Sequence, residues 1–282
     1  MEYSVKGNDI LVSEPDLDLA ETLDCGQAFR WSAVESEYAQ TFTGRFLNTD
    51  LTVSQVSPGS FIFHSTSEEG FLSVWKDYFD FSTDYSRLKA LFSQDPTLEK
   101  ACAYAGGIRL LRQDSWECLV SFIISQNNNI PRITGIISRL CESFGDRISD
   151  EYGGMYSFPD AKRLAALTPD DLAPLRAGFR VRYILDAAYK VADGTVDLGS
   201  IRAMSYDDGK AYLKTITGVG DKVADCVLLF AYHKTEAFPS DVWIKRIVAE
   251  YYSDGLPECM GDYKGIAQQY LFEYFRKRTP VK

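Results

Sequence analysis

The hydrophobic pattern of this 282-residue chain changes period at Gly106-Gly107, and no other feature narrows the fold so far. Before the two glycines, residues 38–46, 51–56 and 61–64 are short runs rich in β-formers, with Ser57-Pro-Gly-Ser60 as a turn between the last two. Such neighbours with short connections predict an antiparallel sheet with one face covered. A helix is predicted from near Glu68, with Phe71, Val74, Trp75 and Tyr78 at helical spacing. After the glycines the pattern is helical almost throughout. Asp114-Ser-Trp-Glu117 has capping-box spacing and precedes the apolar run 118–124. Ile133, Ile136, Ile137, Leu140 and Cys141 form the stripe of the next helix, which Gly145 ends. Pro159-Asp160, Thr168-Pro-Asp-Asp171 and Ser205-Tyr-Asp-Asp208 read as helix entrances. The expectation is an α+β chain, with a β domain over 1–105, a helical domain over 106–282 and no internal repeat.

Charge is divided in the same way. Residues 1–100 hold 7 Lys+Arg against 17 Asp+Glu, which accounts for the whole net charge of −10. The remaining 23 Lys+Arg and 23 Asp+Glu cancel. This balance excludes a protein that coats nucleic acid through bulk charge, though not one that grips phosphates with backbone amides and a few arginines. With 45% apolar residues the chain can bury a core, so disorder is excluded as well. The opening MEYSVKGNDI carries no secretion leader and no run is apolar enough for a membrane helix. Six scattered cysteines without CxxC pairs read as free thiols in a reducing compartment, cytoplasmic or nuclear. His64 and His233 lack partners at ligand spacing, so no metal site and no cofactor are expected.

The most informative stretch runs from about 205 to 232, where two helical segments flank Thr217-Gly218-Val219-Gly220. So tight a turn needs positive φ or close backbone approach, and glycine allows both. Amides at the start of the second helix then face outward, where a phosphate fits. An ordinary helical hairpin accounts for the glycines equally well. Lys222 tips the reading toward chemistry: it sits in the first turn, where the helix dipole disfavours a cation, and an amine in such surroundings is a usable nucleophile. Asp241 follows 19 residues later in Phe238-Pro-Ser-Asp-Val-Trp243, as an acid partner or as a plain N-cap.

Together, Gly218-Val-Gly-Asp-Lys222-Val-Ala-Asp-Cys226 and Pro239-Ser-Asp241-Val resemble the helix-hairpin-helix DNA glycosylase core. Three further motifs are similar to the 8-oxoguanine DNA glycosylase branch: Cys25-Gly-Gln-Ala-Phe-Arg-Trp31, Ser125-Gln-Asn-Asn-Asn-Ile-Pro-Arg132 and Ala267-Gln-Gln-Tyr-Leu-Phe272. The resemblance runs in order from about residue 10 to 275. It implies a twisted antiparallel β domain followed by two helical subdomains, with the active site in the cleft between the helical parts and a C-terminal pocket helix. It also implies a monomer acting on double-stranded DNA that contains 8-oxoguanine opposite cytosine, extruding the base, removing it through a lysine Schiff base and nicking the strand by β-elimination.

The residue roles follow from the same resemblance. Lys222 is the nucleophile and Asp241 steadies the cationic sugar. The Gly26 carbonyl reads the base's N7–H, Gln268 its Watson–Crick edge, and Phe272 and Cys226 its two faces. Asn127 and Arg132 hold the orphaned cytosine, Phe179 with Arg180 beside it fills the emptied stack, and Gly218, Gly220 and Trp243 lie along the DNA. Taken alone, Phe272 and Cys226 read as core, Gln268 as an exposed helix residue, and Arg180 and Arg182 as surface arginines. The chain departs from the family in having Phe179 for a tyrosine, Trp243 for a histidine and Thr217 for a proline. It lacks the cysteine quartet of the iron–sulfur branches. Two other readings remain open: an alkylpurine glycosylase, which Lys222 disfavours, and a non-catalytic DNA-binding hairpin, which predicts Lys222 on the outer face of its helix.

Overall fold

The computed structural model describes residues 1–149 and 155–278. The principal helices in chain order are α1 (Leu19–Leu23), α2 (Tyr85–Phe92), α3 (Pro96–Tyr104), α4 (Ser115–Ser125), α5 (Ile130–Phe144), α6 (Arg180–Ala192), α7 (Tyr206–Leu213), α8 (Asp221–Tyr232), α9 (Val242–Tyr251) and α10 (Lys264–Arg278). Contacts divide the chain into two compact units, one of residues 1–44, 50–112 and 234 onward, the other of 45–49 and 113–233. The sheet strands end at His64 and helices follow from Glu68, so strand gives way to helix before residue 105, and compactness groups α9 and α10 with the sheet. Aromatic residues tie them there. Tyr270 stacks edge-on against Phe92 at 6.2 Å, and the Tyr252 hydroxyl donates to Asp95 Oδ1 at 2.8 Å.

In the first unit six strands form an antiparallel sheet: β1 (Glu2–Lys6), β2 (Asp9–Ser13), β3 (Trp31–Ala33), β4 (Gln40–Phe46), β5 (Thr49–Ser57) and β6 (Ser60–His64), in the order β1-β2-β6-β5-β4-β3. The three predicted strands are β4, β5 and β6. Unforeseen were β1 and β2, a hairpin with Ile10 opposite Phe63 of β6, and β3 at the far edge. One sheet face is covered by the predicted helix at 68–78, where Ser67 Oγ accepts from the Gly70 amide at 3.1 Å and the turn widens to a π-helix over Phe71–Trp75. Phe63 meets Phe71 and Phe79 edge-on at 5.2 and 5.4 Å, and Trp31 Nε1 donates to the Tyr78 hydroxyl at 2.7 Å. Rings of this size contribute most of a small core's stability. The sheet is followed by α2 and α3, capped by Asp84 and Asp95, helices that the strand-rich reading of 1–105 did not include.

The second unit is helical apart from a short antiparallel strand pair, Arg147–Ser149 with Met155–Tyr156. Asp114 caps α4 as predicted, accepting from the Trp116 and Glu117 amides at 3.1 and 2.9 Å, and residues 118–124 are all buried. The stripe on α5 is buried at the five predicted positions, with Asn129 as its cap. Asp160 and Ser205 cap helices as expected. The expected entrance at Thr168 is only a turn, its hydroxyl donating to Asp171 Oδ2 at 2.7 Å, and it leads to a single 3-10 turn that Arg176 ends in the left-handed conformation. Packing of α4 on α8 stacks Phe122 on Phe230 at 5.2 Å. Among the described residues no helix is long and apolar enough to cross a membrane.

Candidate functional site

The second unit carries the hairpin, α7 and α8 with their turn. Gly218 has φ +85°, and a Cβ there would lie 2.3 Å from the ring of Tyr183 on α6, so glycine is required both by backbone geometry and by space. Gly220 is the N-cap of α8 and offers no side chain to its first amides, which leaves those donors for an external acceptor. The hairpin is pinned from α6 by Asp186, whose Oδ2 accepts from the Thr217 amide at 2.7 Å and pairs with Lys190 at 2.8 Å. Burial opposes the charge on Asp186, but Lys190 and Thr217 outweigh it and hold the carboxyl below its ordinary range.

Lys222 stands in the first turn of α8 and points inward, half-buried. Its Nζ donates to Ser125 Oγ at the end of α4 at 3.0 Å and lies 5.1 Å from the Phe122 ring centroid. The binding-module reading expected the outer face, and the structure does not give that orientation. Cys226 follows one turn later on the same side and is 3% exposed. It neighbours Cys118, whose thiol is pushed well above its usual range by burial and then by Cys226.

Residues 126–129 connect α4 to α5, and Arg132 lies in the first turn of α5. Asn127 is exposed and left-handed at φ +47°, a conformation asparagine tolerates better than most residues. Asn129 accepts from the Arg132 amide at 3.0 Å, so the start of α5 fixes the backbone from which exposed Arg132 projects. Phe179 is 48% exposed, lies edge-on to Tyr183 at 5.8 Å and sits under the Arg180 guanidinium at 4.5 Å. Arg180, placed beside the wedge by the resemblance, is not the surface arginine of the alternative reading. It is 2% exposed and donates to the carbonyls of Gln126, Asn127 (2.8 Å) and Ala177 (3.1 Å). Burial lowers its pKa, and the nearby Arg132 charge lowers it further. The reason is local: left-handed Asn127 turns its loop's carbonyls inward, and only a multidentate donor can satisfy several at once. Sequence offers no sign of that burial.

The first unit carries the remaining residues. Gln268 and Phe272 lie on one face of α10 at i and i+4, with Arg276 at i+8. Gln268 is 4% exposed, against the exposed-residue alternative, and its Oε1 accepts from Gln269 Nε2 at 2.6 Å. Phe272 is half-buried, with the Arg276 guanidinium 6.0 Å from its centroid. Arg276 in turn donates to the Asp24 carbonyl at 3.2 Å, which brings this face of α10 to the Gly26 loop. Gly26 has φ +87°. Asp241 is the N-cap of α9, with Oδ1 accepting from the Ile244 amide at 2.8 Å, and half-buried Trp243 lies 5.6 Å beneath Arg246. Lys222, Cys226, Asn127, Arg132, Phe179, Arg180, Gly218 and Gly220 thus belong to one unit, and Gly26, Asp241, Trp243, Gln268 and Phe272 to the other. Sequence reading missed Ser125 as the lysine's partner. The signal was present, since Ser125 is the first polar residue after the apolar run of α4.

Comparison with known proteins divides the chain by sequence order instead. Residues 9–119 match the model for the 8-oxoguanine DNA glycosylase N-terminal domain, and residues 120–256 match that of the HhH-GPD superfamily base excision DNA repair proteins. The N-glycosylase/DNA lyase of Saccharomyces cerevisiae is 32% identical over 277 residues, 88% of this chain and 72% of that protein. Among solved structures, MBOgg1 in complex with a low-affinity DNA ligand is 41% identical with a TM-score of 0.91, covering 98% of this chain and 99% of its own. The Clostridium acetobutylicum 8-oxoguanine glycosylase/lyase, bound to double-stranded DNA with cytosine opposite 8-oxoguanine, is 33% identical with a TM-score of 0.90 and covers 98% of both chains.

Proposed function

Since the chain belongs to the 8-oxoguanine DNA glycosylase family of helix-hairpin-helix base-excision repair proteins, we propose that Lys222 is its nucleophile and that the reaction passes through a Schiff base. The protein is a bifunctional DNA glycosylase and lyase acting on duplex DNA that contains 8-oxoguanine. The observation that carries the lysine's role is the inward amine on Ser125, in the first turn of the hairpin's second helix.

In the duplex the glycosidic bond is shielded by the stack, so the nucleotide must first be extruded. The hairpin amides at Gly218 and Gly220 hold the backbone, and Phe179 replaces the departed base in the stack. The Lys222 amine then attacks the sugar C1′ as the C1′–base bond breaks. The proton lost from nitrogen goes to the departing base, the sugar ring opens to an iminium as its oxygen takes up a proton from water, and loss of a C2′ proton to water expels the 3′-phosphate. Asp241 steadies the positive charge that develops on the sugar. Its cap on α9 holds it in place, so structural and chemical roles coincide.

Selectivity rests on N7, a donor in 8-oxoguanine and an acceptor in guanine. Placing the Gly26 carbonyl against it makes guanine present two facing acceptors, a larger penalty than a missing methyl group. Gln268 reads the Watson–Crick edge, and Phe272 and Cys226 take the two faces. Opposite the lesion, Arg132 offers paired donors to the O2 and N3 acceptors of cytosine, with Asn127 beside it. Arg180 acts there through the loop carbonyls that it holds. The protein works where cellular DNA is, in a cytoplasm or a nucleus. Borohydride added to protein and an 8-oxoguanine·cytosine duplex should give a covalent adduct on a denaturing gel. Undamaged and alkylated duplexes should give none, and the absence of an adduct with every duplex would remove Lys222 as nucleophile.

A further inference from the structure

We infer that Gln27 is a positioning residue that sets the height of the Gly26 carbonyl, and that it controls excision of the damaged base separately from strand cleavage. The inference rests on the reading of Gly26 given above and concerns how that carbonyl is held. Gln27 is 1% exposed, and its amide bridges two segments of chain. Nε2 donates to the Thr22 carbonyl at the end of α1 at 2.9 Å and to the Arg109 carbonyl at 2.8 Å, while Oε1 accepts from the Leu111 amide at 2.9 Å. A buried amide so engaged has one orientation, because any rotation leaves polar groups without partners.

The segment it grips is itself held on several sides. Arg109 is fully buried, and its guanidinium donates to the carbonyls of Phe79 (3.0 Å), Asp80 (2.6 Å) and Thr83 (3.1 Å), with Tyr85's ring 4.2 Å away. The Arg109 amide also donates to Thr22 Oγ1 at 3.1 Å, so both ends of the bridge share one support. Between them lies Gly26 in the left-handed region, where glycine has the widest choice of backbone angles and so the least rigidity of its own. On its other side Arg276 holds the Asp24 carbonyl at 3.2 Å and is itself fixed by Glu273 at 2.6 Å. Gly26 is thus clamped from both sides, by the Gln27 and Arg276 side chains. A carbonyl that must tell a donor from an acceptor needs such support, since small misplacements of a recognition group cost disproportionately.

The test compares two activities of the same protein. Excision of 8-oxoguanine requires the Gly26 carbonyl, whereas cleavage of a preformed abasic site contains no base to recognise. Gln27→Met keeps the shape and removes the bridge, and Arg276→Met releases the other side from a surface position. Single-turnover rates on both substrates should show excision lowered about tenfold or more relative to abasic-site cleavage in each folded variant. A parallel fall in both activities, or an unchanged ratio, overturns the inference. Should Gln27→Met fail to fold, Arg276→Met decides alone. Failure of the Gly26 reading shows differently: the unaltered protein would then excise guanine as readily as 8-oxoguanine.

Discussion

The Lys222 amine is oriented before any DNA arrives, because Ser125 Oγ holds it at 3.0 Å and the Phe122 ring closes one side. Lys222→Gln keeps a polar side chain of similar reach but no nucleophilic amine, so borohydride trapping and nicking should vanish while lesion binding persists. Retained nicking by the purified variant would sink the assignment. At the opposite base, exposed Arg132 projects from a backbone fixed by Asn129, and its truncation leaves that cap intact. Arg132→Ala should therefore flatten the preference for cytosine by about 1–3 kcal/mol, the range for a bidentate base contact. Excision rates against all four opposite bases measure this, and a surviving cytosine preference refutes it. Residues of this kind were legible in sequence because a motif carries identity and spacing. The burial of Arg180 was not legible because spacing says nothing about which carbonyls a loop turns inward, and Gln27 passed unassigned because two of the partners that fix it, the Arg109 carbonyl and the Leu111 amide, lie more than eighty residues away.

At the scale of elements, the hairpin turn is coupled to the wedge through one ring. Tyr183 lies against Gly218 on one side and meets Phe179 edge-on at 5.8 Å on the other. Gly218→Ala should destabilise the protein by about 1–3 kcal/mol from the left-handed backbone alone, with the Tyr183 clash in addition. Adding Tyr183→Ala should relieve the clash, so the double variant should lose less than the sum of the two single losses. Chemical denaturation of the four proteins gives the cycle, and strict additivity would mean that ring and turn are independent. The helices of this unit were readable because their caps and stripes are local: Asp114, Asn129 and Ser205 each bond within three residues. The sheet was half readable. In β4–β6 the β-formers are dense, whereas β1 is exposed throughout and β3 spans three residues, so neither has a pattern to detect. The division of the molecule was least readable, since the join of α10 to the sheet-bearing unit depends on Tyr270 and Phe92, which are 178 positions apart.

At the scale of the whole molecule, a net charge of −10 opposes the approach of DNA, so binding must draw on contacts that bulk charge does not measure. Two kinds are available. The hairpin amides bring no cation, and a phosphate bound there contributes little to the release of counterions. The arginines do contribute. Among the described residues Arg132, Arg139, Arg176 and Arg182 have no carboxylate partner, although Arg139 gives two donors to the Leu175 carbonyl and Arg132 one to that of Arg176. If these four are the cations that meet phosphates, the logarithm of affinity for undamaged duplex should fall with the logarithm of salt at a slope of about −3 to −4. Fluorescence anisotropy across a salt series measures the slope directly. A value near −6 or steeper would mean that other lysines or arginines reach the DNA and that the amides are not the main grip. A value near −1 would mean that the arginines are bystanders. An intermediate slope that shrinks by about one unit on Arg176→Ala would assign one of the four charges to a single exposed residue beside the wedge.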